Sequence, residues 1–171
     1  MEILIQRAKR HDKNAFVELM KHNEQSLYKV AKAILKNDED VADAMQETIM
    51  TCWEKIGTLR KNDYFKTWMT RILINKCNAI YKQRKRFIST DSYLETAISE
   101  DGFEIVEWGI FLNELEEKYR IVVILYYVEG FKVREIALLL DITESAVKAR
   151  LVTARKKLGS FYNVERKCEI V

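Results

Sequence analysis

The stretch GFKVREIALLLDITESAVKARLVTARKKL, Gly130 to Leu158, decides how the chain is read. Val133, Ile136, Ala137 and Leu140 recur at i, i+3, i+4 and i+7, which puts one apolar face on a short helix. Asp141, Ile142 and Thr143 make a turn, and the Thr143 hydroxyl stands where it can cap the helix that follows. In that second helix Val147, Leu151, Ala154 and Leu158 repeat the apolar stripe. Glu144, Lys148, Val152 and Arg155 line another face, with Ser145 and Lys156 beside it, and Glu144 to Lys157 carries five cations against one acid. Two short helices around a tight turn form a helix-turn-helix. Its second helix fits the major groove, the first turn meeting base edges and the later cations meeting phosphates. A helical hairpin with a solvated charged face is the plain alternative; turn spacing, capping and charge favour DNA.

Composition agrees with helices throughout. The 171 residues include no proline and only five glycines, so almost nothing interrupts a helix, and an all-α fold is expected. A hydrophobic content of 48% argues for folded protein, and the net charge of +3 is too small to name a partner. The N-terminus turns charged after a few residues and no apolar run of membrane-spanning length occurs, so a cytoplasmic protein is expected. Cys52, Cys77 and Cys168 are far apart and odd in number, which fits reduced thiols. His11 and His22 have no carboxylate or cysteine cluster at ligand spacing, so neither a metal nor any other cofactor is expected.

Charge divides the chain. Between Arg60 and Arg86 nine cations face the single anion Asp63; from Ser89 to Glu107 there are six acids and no cation. The acidic stretch, rich in Ser, Thr and Asp, reads as a linker between two helical units. In the first unit, the segment from Asn14 to Lys36 spaces Phe16, Leu19, Met20, Leu27, Val30, Ala31 and Ile34 as a helical core stripe. Val41, Met45, Thr48, Ile49, Cys52, Trp53 and Ile56 form another, opposite Glu39, Asp43, Gln46, Glu47, Met50 and Glu54. A polar loop at Gly57 leads to a helix expected from near Tyr64, with Phe65, Met69, Ile72, Leu73, Ala79 and Ile80 inside.

Two further constellations stand out in this unit. Arg71, Asn75, Asn78 and Lys82 recur at i, i+4, i+7 and i+11 with Trp68 at the edge of their stripe. Cations that hold phosphates beside an aromatic that stacks bases suit partly unpaired nucleic acid; Trp68 in the core beside solvated cations is the plain alternative. The preceding loop, Arg60, Lys61, Asn62 and Asp63 to Tyr64, could close over an unstacked base. The acids from Glu39 to Glu54 lie along one helix face, a flat ridge without a pocket. That pattern suits docking to a basic partner helix better than acid–base or metal chemistry, with a merely solvated helix face as the plain alternative.

Taken together, these residues resemble the extracytoplasmic-function class of bacterial sigma factors in the sigma-70 family, the dissociable promoter-recognition subunits of RNA polymerase. DEDVADAMQETIMTCWEKI is similar to the family's region 2.2, YFKTWMTRILINKCNAIYKQRKR to regions 2.3 and 2.4, and LEEKYRIVVILYYVEGFKVREIALLLDITESAVKARLVTARKKL to region 4. The resemblance implies two small helical domains joined by a flexible acidic linker. They are region 2 over 1–87, the linker over 88–103, region 4 over 104–164, and a tail over 165–171.

The resemblance further implies that Asp43, Gln46, Glu47 and Met50 engage the core polymerase at its β′ coiled coil, with the β subunit also a partner. Arg60, Lys61, Asn62, Tyr64, Trp68, Arg71, Asn75, Asn78 and Lys82 would bind and melt the −10 element. Thr143, Glu144, Ser145, Lys148, Arg155 and Lys156 would read the −35 element. Such proteins are not enzymes, take no small-molecule substrate, and are commonly held by an anti-sigma factor, often membrane-anchored. Two positions depart from the family pattern. Asp141 stands where glycine is usual in the turn, and should take the left-handed conformation. Lys76 falls on a core stripe, where it should snorkel or bend its helix. Without the remainder of the chain, the Gly130–Leu158 stretch fits a stand-alone helix-turn-helix regulator; an enzyme acting on nucleic acid would need a pocketed acid cluster.

Overall fold

A computed structural model of the chain describes residues 1–88, 112 and 114–168, with side chains described for 1–84, 112 and 114–159. The chain separates into two units, Met1–Thr96 and Ala97–Val171. The described residues of both are helical. The expected linker, 88–103, lies outside the described residues except for Ile88, the last residue of its helix.

The first unit contains α1 (Glu2–Lys9), α2 (Lys13–Ile34), α3 (Asp38–Lys55) and α4 (Phe65–Ile88). Side-chain caps start α2 and α3. The Asp12 carboxylate accepts from the Ala15 N–H at 3.1 Å, and the Asn37 side-chain oxygen accepts from the N–H groups of Glu39 and Asp40. Asp38, Glu39 and Asp40 in the first turn of α3 add the favourable sign for a helix N-terminus. All seven residues expected inside α2 are buried. Asn23 on the same stripe is also buried, and its amide donates to the Leu19 carbonyl at 2.8 Å. The α1 helix, absent from the sequence expectations, buries Ile5 and Ala8 against this unit.

The stripes of α3 and α4 shift from their expected positions. Val41, Ala44, Thr48, Cys52 and Ile56 are buried, whereas Met45, Ile49 and Trp53 are only half-buried. Trp53 sits at the edge, its ring 5.4 Å from His11 and 5.0 Å from Phe16. In α4 the inner residues are Phe65, Met69, Thr70, Leu73, Ile74 and Cys77, while Ala79 is exposed. The inner line runs in four-residue steps from Phe65 through Met69 and Leu73 to Cys77, with Thr70 and Ile74 beside it, and Ala79 falls off that line. Two short 3-10 turns, Ile56–Thr58 and Asn62–Tyr64, join α3 to α4, with Leu59 buried between them as an anchor.

The second unit contains α5 (Glu117–Val123), a π-helical segment Ile124–Val128, α6 (Val133–Leu140) and α7 (Glu144–Cys168). Ile121 to Leu125 are buried without interruption, together with Ile136, Ala137, Leu139, Val147, Leu151 and Ala154. Gly130 has φ 73°, a left-handed conformation that suits glycine, where the chain turns from the π-helical segment toward α6. The α7 backbone continues to Cys168, so the first residues of the expected tail, 165–168, are the end of this helix. Proline is absent and Gly159 alone interrupts the side chains, which is too little to stop a helix. Among the described residues no helix is long and apolar enough to cross a membrane.

Candidate protein and nucleic-acid interfaces

The acidic ridge is built by the register of α3. Burial of Val41, Ala44, Thr48 and Cys52 forces Asp43, Gln46, Glu47 and Met50 onto the outside, where all four are exposed. Met50 is 56% exposed, an unbranched apolar side chain among acids and amides, and such side chains adapt readily to a partner surface. Two ion pairs lock this ridge to α4. Lys76 reaches Glu47 at 3.0 Å, and Arg84 reaches Asp40 at 2.7 Å. Lys76 therefore does snorkel: its stem starts near the core line and its ammonium ends on an acid of the ridge. Asp40, whose side chain is 11% exposed, was not among the expected functional residues, because its partner lies 44 positions later.

Across α4, Arg71, Asn75, Asn78 and Lys82 are all exposed and form one stripe. Trp68 is half-buried, its ring tilted 43° against Phe65 with centroids 6.0 Å apart. It serves the packing of α4 and remains partly exposed. In the preceding loop Arg60, Lys61 and Tyr64 are exposed, and the Lys61 ammonium lies 6.0 Å from the centre of the Tyr64 ring. Asn62 is held differently: its carbonyl oxygen accepts from the Lys9 ammonium at 3.4 Å.

A cavity of about 330 Å³ lies beside Asn62, lined by Met1, Glu2, Ile5, Asn23, Asn62, Asp63, Phe65 and Lys66. Its size is at the small end for a ligand pocket. One wall comes from α1, so sequence patterning in the loop could not reveal it. Arg60 and Tyr64 do not line it.

The helix-turn-helix of the second unit has the local geometry its sequence implies. Asp141 adopts φ 54°, ψ 47°, a left-handed conformation that aspartate tolerates, and the Ile142 N–H donates to the Ala137 carbonyl at 3.0 Å. The Thr143 hydroxyl accepts from the Ala146 N–H at 3.1 Å and caps α7. At the start of α6 the Glu135 carboxylate accepts from the Lys132 N–H at 2.8 Å. Val147, Leu151 and Ala154 point inward, leaving Thr143, Glu144, Ser145, Lys148, Val152, Arg155 and Lys156 exposed.

Further along α7 two cations, Arg155 and Lys157, are engaged rather than open. Arg155 donates through Nε to the Tyr127 hydroxyl, with its guanidinium carbon 5.6 Å from the ring centre. Lys157 pairs with Glu116 at 2.8 Å and lies 4.9 Å from the Tyr119 ring. Lys118 and Lys157, both bonded to Glu116, hold its carboxyl down to about 2. Inside the unit, Arg120 is buried and donates to the Leu115 carbonyl at 3.3 Å; burial lowers its proton affinity and raises that of neighbouring Glu117. In the first unit burial pushes the Cys52 thiol up to about 12. Cys52 and Cys77 are buried thiols. Among the described residues no cluster of three or more His, Cys, Asp or Glu side chains is arranged to hold a metal.

Comparison with known proteins covers both units. The family profile described as Sigma-70 region 2 matches residues 19–87, and that described as Sigma-70, region 4 matches residues 111–158. The chain is 28% identical over 151 residues to the RNA polymerase sigma factor SigV of Bacillus subtilis, covering 86% of this chain and 91% of that protein. It is 26% identical over 158 residues to the ECF RNA polymerase sigma factor SigM of Mycobacterium tuberculosis, covering 86% and 77%. Its fold is similar to that of the sigma factor RpoE of Bartonella quintana, solved with the anti-sigma factor NepR. The TM-score is 0.76 at 22% identity, covering 87% of this chain and 97% of that one.

Proposed function

The chain belongs to the sigma-70 family, in its extracytoplasmic-function class, and from that premise we propose how its surfaces divide the work of directing RNA polymerase to promoters. The α3 ridge of Asp43, Gln46, Glu47 and Met50 docks on a basic helical surface of the core enzyme. Its fixed geometry supports this reading, because Lys76 and Arg84 tie α3 to α4 and so hold the ridge and the basic stripe in one frame. Arg71, Asn75, Asn78 and Lys82 then follow the strand of the −10 element, with Trp68 at the edge to stack on an opened base. Arg60, Lys61, Asn62 and Tyr64 receive the extruded base.

In the second unit the N-terminal turn of α7 enters the major groove of the −35 element. Thr143, Glu144, Ser145 and Lys148 are near enough to its start to meet base edges, and Arg155 and Lys156 are placed for phosphates. The protein works in the cytoplasm, takes no substrate of its own, and is held in reserve by an anti-sigma factor.

One observation carries the reading: α4 and α7 each expose a basic stripe opposite their own apolar stripe, and α3 exposes an acidic ridge in the same chain. Reconstitution with core polymerase tests it. Run-off transcription from a promoter library should give discrete start sites that need both the core enzyme and this protein. A confirmed core complex that initiates nowhere in particular sinks the proposal. Tight operator binding by the protein alone points instead to an independent regulator.

A further inference from the structure

We propose that Tyr127 is a positioning residue that aims Arg155 at the phosphate backbone beside the −35 element. This rests on the assignment of α7 as the −35 reading helix. The sequence places Tyr127 and Arg155 28 positions apart, and nothing in either neighbourhood connects them. The link is made by the π-helical segment Ile124–Val128. There the Glu129 N–H bonds the Ile124 carbonyl at 2.9 Å, five residues back, and this wider turn leaves Ile124 and Leu125 buried with Tyr127 52% exposed. Wide single turns of this kind often occur at functional sites. Tyr126 packs edge-on against the Tyr127 ring, centroids 4.9 Å apart at 84°, and so restrains its orientation.

The contact leaves Arg155 with chemistry to spare. Tyr127 occupies Nε, and the ring lies under the guanidinium, so Nη1 and Nη2 keep the paired donors that match two phosphate oxygens. A long side chain already restrained in the free protein has less freedom to lose on binding. Arg155 is eleven residues beyond Glu144, about three helical turns, where a recognition helix has left the base edges and meets backbone. Lys148 and Lys156, also exposed on α7, have no such partner among the described residues. Tyr127 therefore acts through Arg155 and needs no contact with DNA.

A double-mutant cycle on the reconstituted holoenzyme tests this, with promoter affinity measured across a range of salt concentrations on a fragment whose start site has been mapped. Arg155→Ala should lower the slope of log affinity against log salt by about 0.9, one phosphate contact. Tyr127→Ala should weaken binding by about threefold, the scale of an exposed cation–π contact. In the Arg155→Ala background, Tyr127→Ala should add nothing. Tyr127→Phe, which keeps the ring and loses the hydroxyl, should give an intermediate loss with the unfolding temperature unchanged; it decides the matter if Tyr127→Ala proves unstable. Additive losses, or full affinity in both Tyr127 variants while Arg155→Ala is impaired, overturn the positioning role alone. An Arg155→Ala holoenzyme with normal affinity and slope removes Arg155 from the interface, and the positioning role with it.

Discussion

The two units present functional side chains by different means. In the first, the acidic ridge and the basic stripe belong to α3 and α4, whose relation is set by the packing of their buried faces and bridged by ion pairs that span long stretches of sequence, Glu47 with Lys76 and Asp40 with Arg84. In the second, the reading helix is placed chiefly by neighbours in sequence: the left-handed Asp141, the Thr143 cap and the apolar line Val147, Leu151 and Ala154. On the proposed reading, a surface that serves polymerase and melted DNA together needs a rigid frame between helices. A single helix inserted in a groove needs only a well-made turn and a packed back.

The largest test of that contrast is charge reversal on the ridge. Replacing Asp43 and Glu47 by arginine should weaken core polymerase binding by roughly 100-fold or more, since like charges at an interface cost several kcal/mol. Circular dichroism should be unchanged, and DNA contacts by α7 should persist. Normal core affinity in a titration with labelled core enzyme refutes the docking assignment.

Core truncation comes next. Leu73 is fully buried in α4, and Leu73→Ala should destabilise the first unit by about 3 kcal/mol. If the units unfold independently, denaturant melts followed at separate probes will move only the first unit's transition. A common shift of both transitions shows that the units are coupled.

Thr143→Ala should cost the second unit about 1 kcal/mol, a capping loss, and should lower −35 binding in step with stability. A binding loss greater than the stability loss shows that Thr143 also meets DNA, as proposed. The smallest effect concerns Glu116. Its carboxyl titrates near 2 in the folded chain against an ordinary 4.5, because Lys118 and Lys157 bond the charged form. Its contribution is therefore fully present above pH 4.5 and is lost as pH falls through about 2. Glu116→Gln should flatten that part of the acid-unfolding curve; a curve identical to that of the parent protein shows that water screens the contact completely.

Much of this was legible in the residues. The seven buried positions of α2 recur at helical spacing, and the Asp141–Thr143 turn carries its own instructions in residue type. The exposed sets on α3, α4 and α7 followed because apolar stripes define the opposite faces. What escaped was of another kind. α1 buries only Ile5 and Ala8, too few for a period to show. In α4, Ala79 and Cys77 are both plausible core residues by type, and only packing against its neighbours puts Cys77 inside.

The sequence by itself determined the all-helical class, the two-unit order, the family and the faces that carry charge, because periodicity and turn chemistry act over a few residues. Tertiary structure alone decided that Lys76 ends on Glu47, that Arg84 covers Asp40, that α1 walls a cavity beside Asn62, and that Tyr127 meets Arg155. Each of these joins side chains far apart in the chain. Their meeting depends on how helices settle on a shared core, and no local pattern encodes that distance.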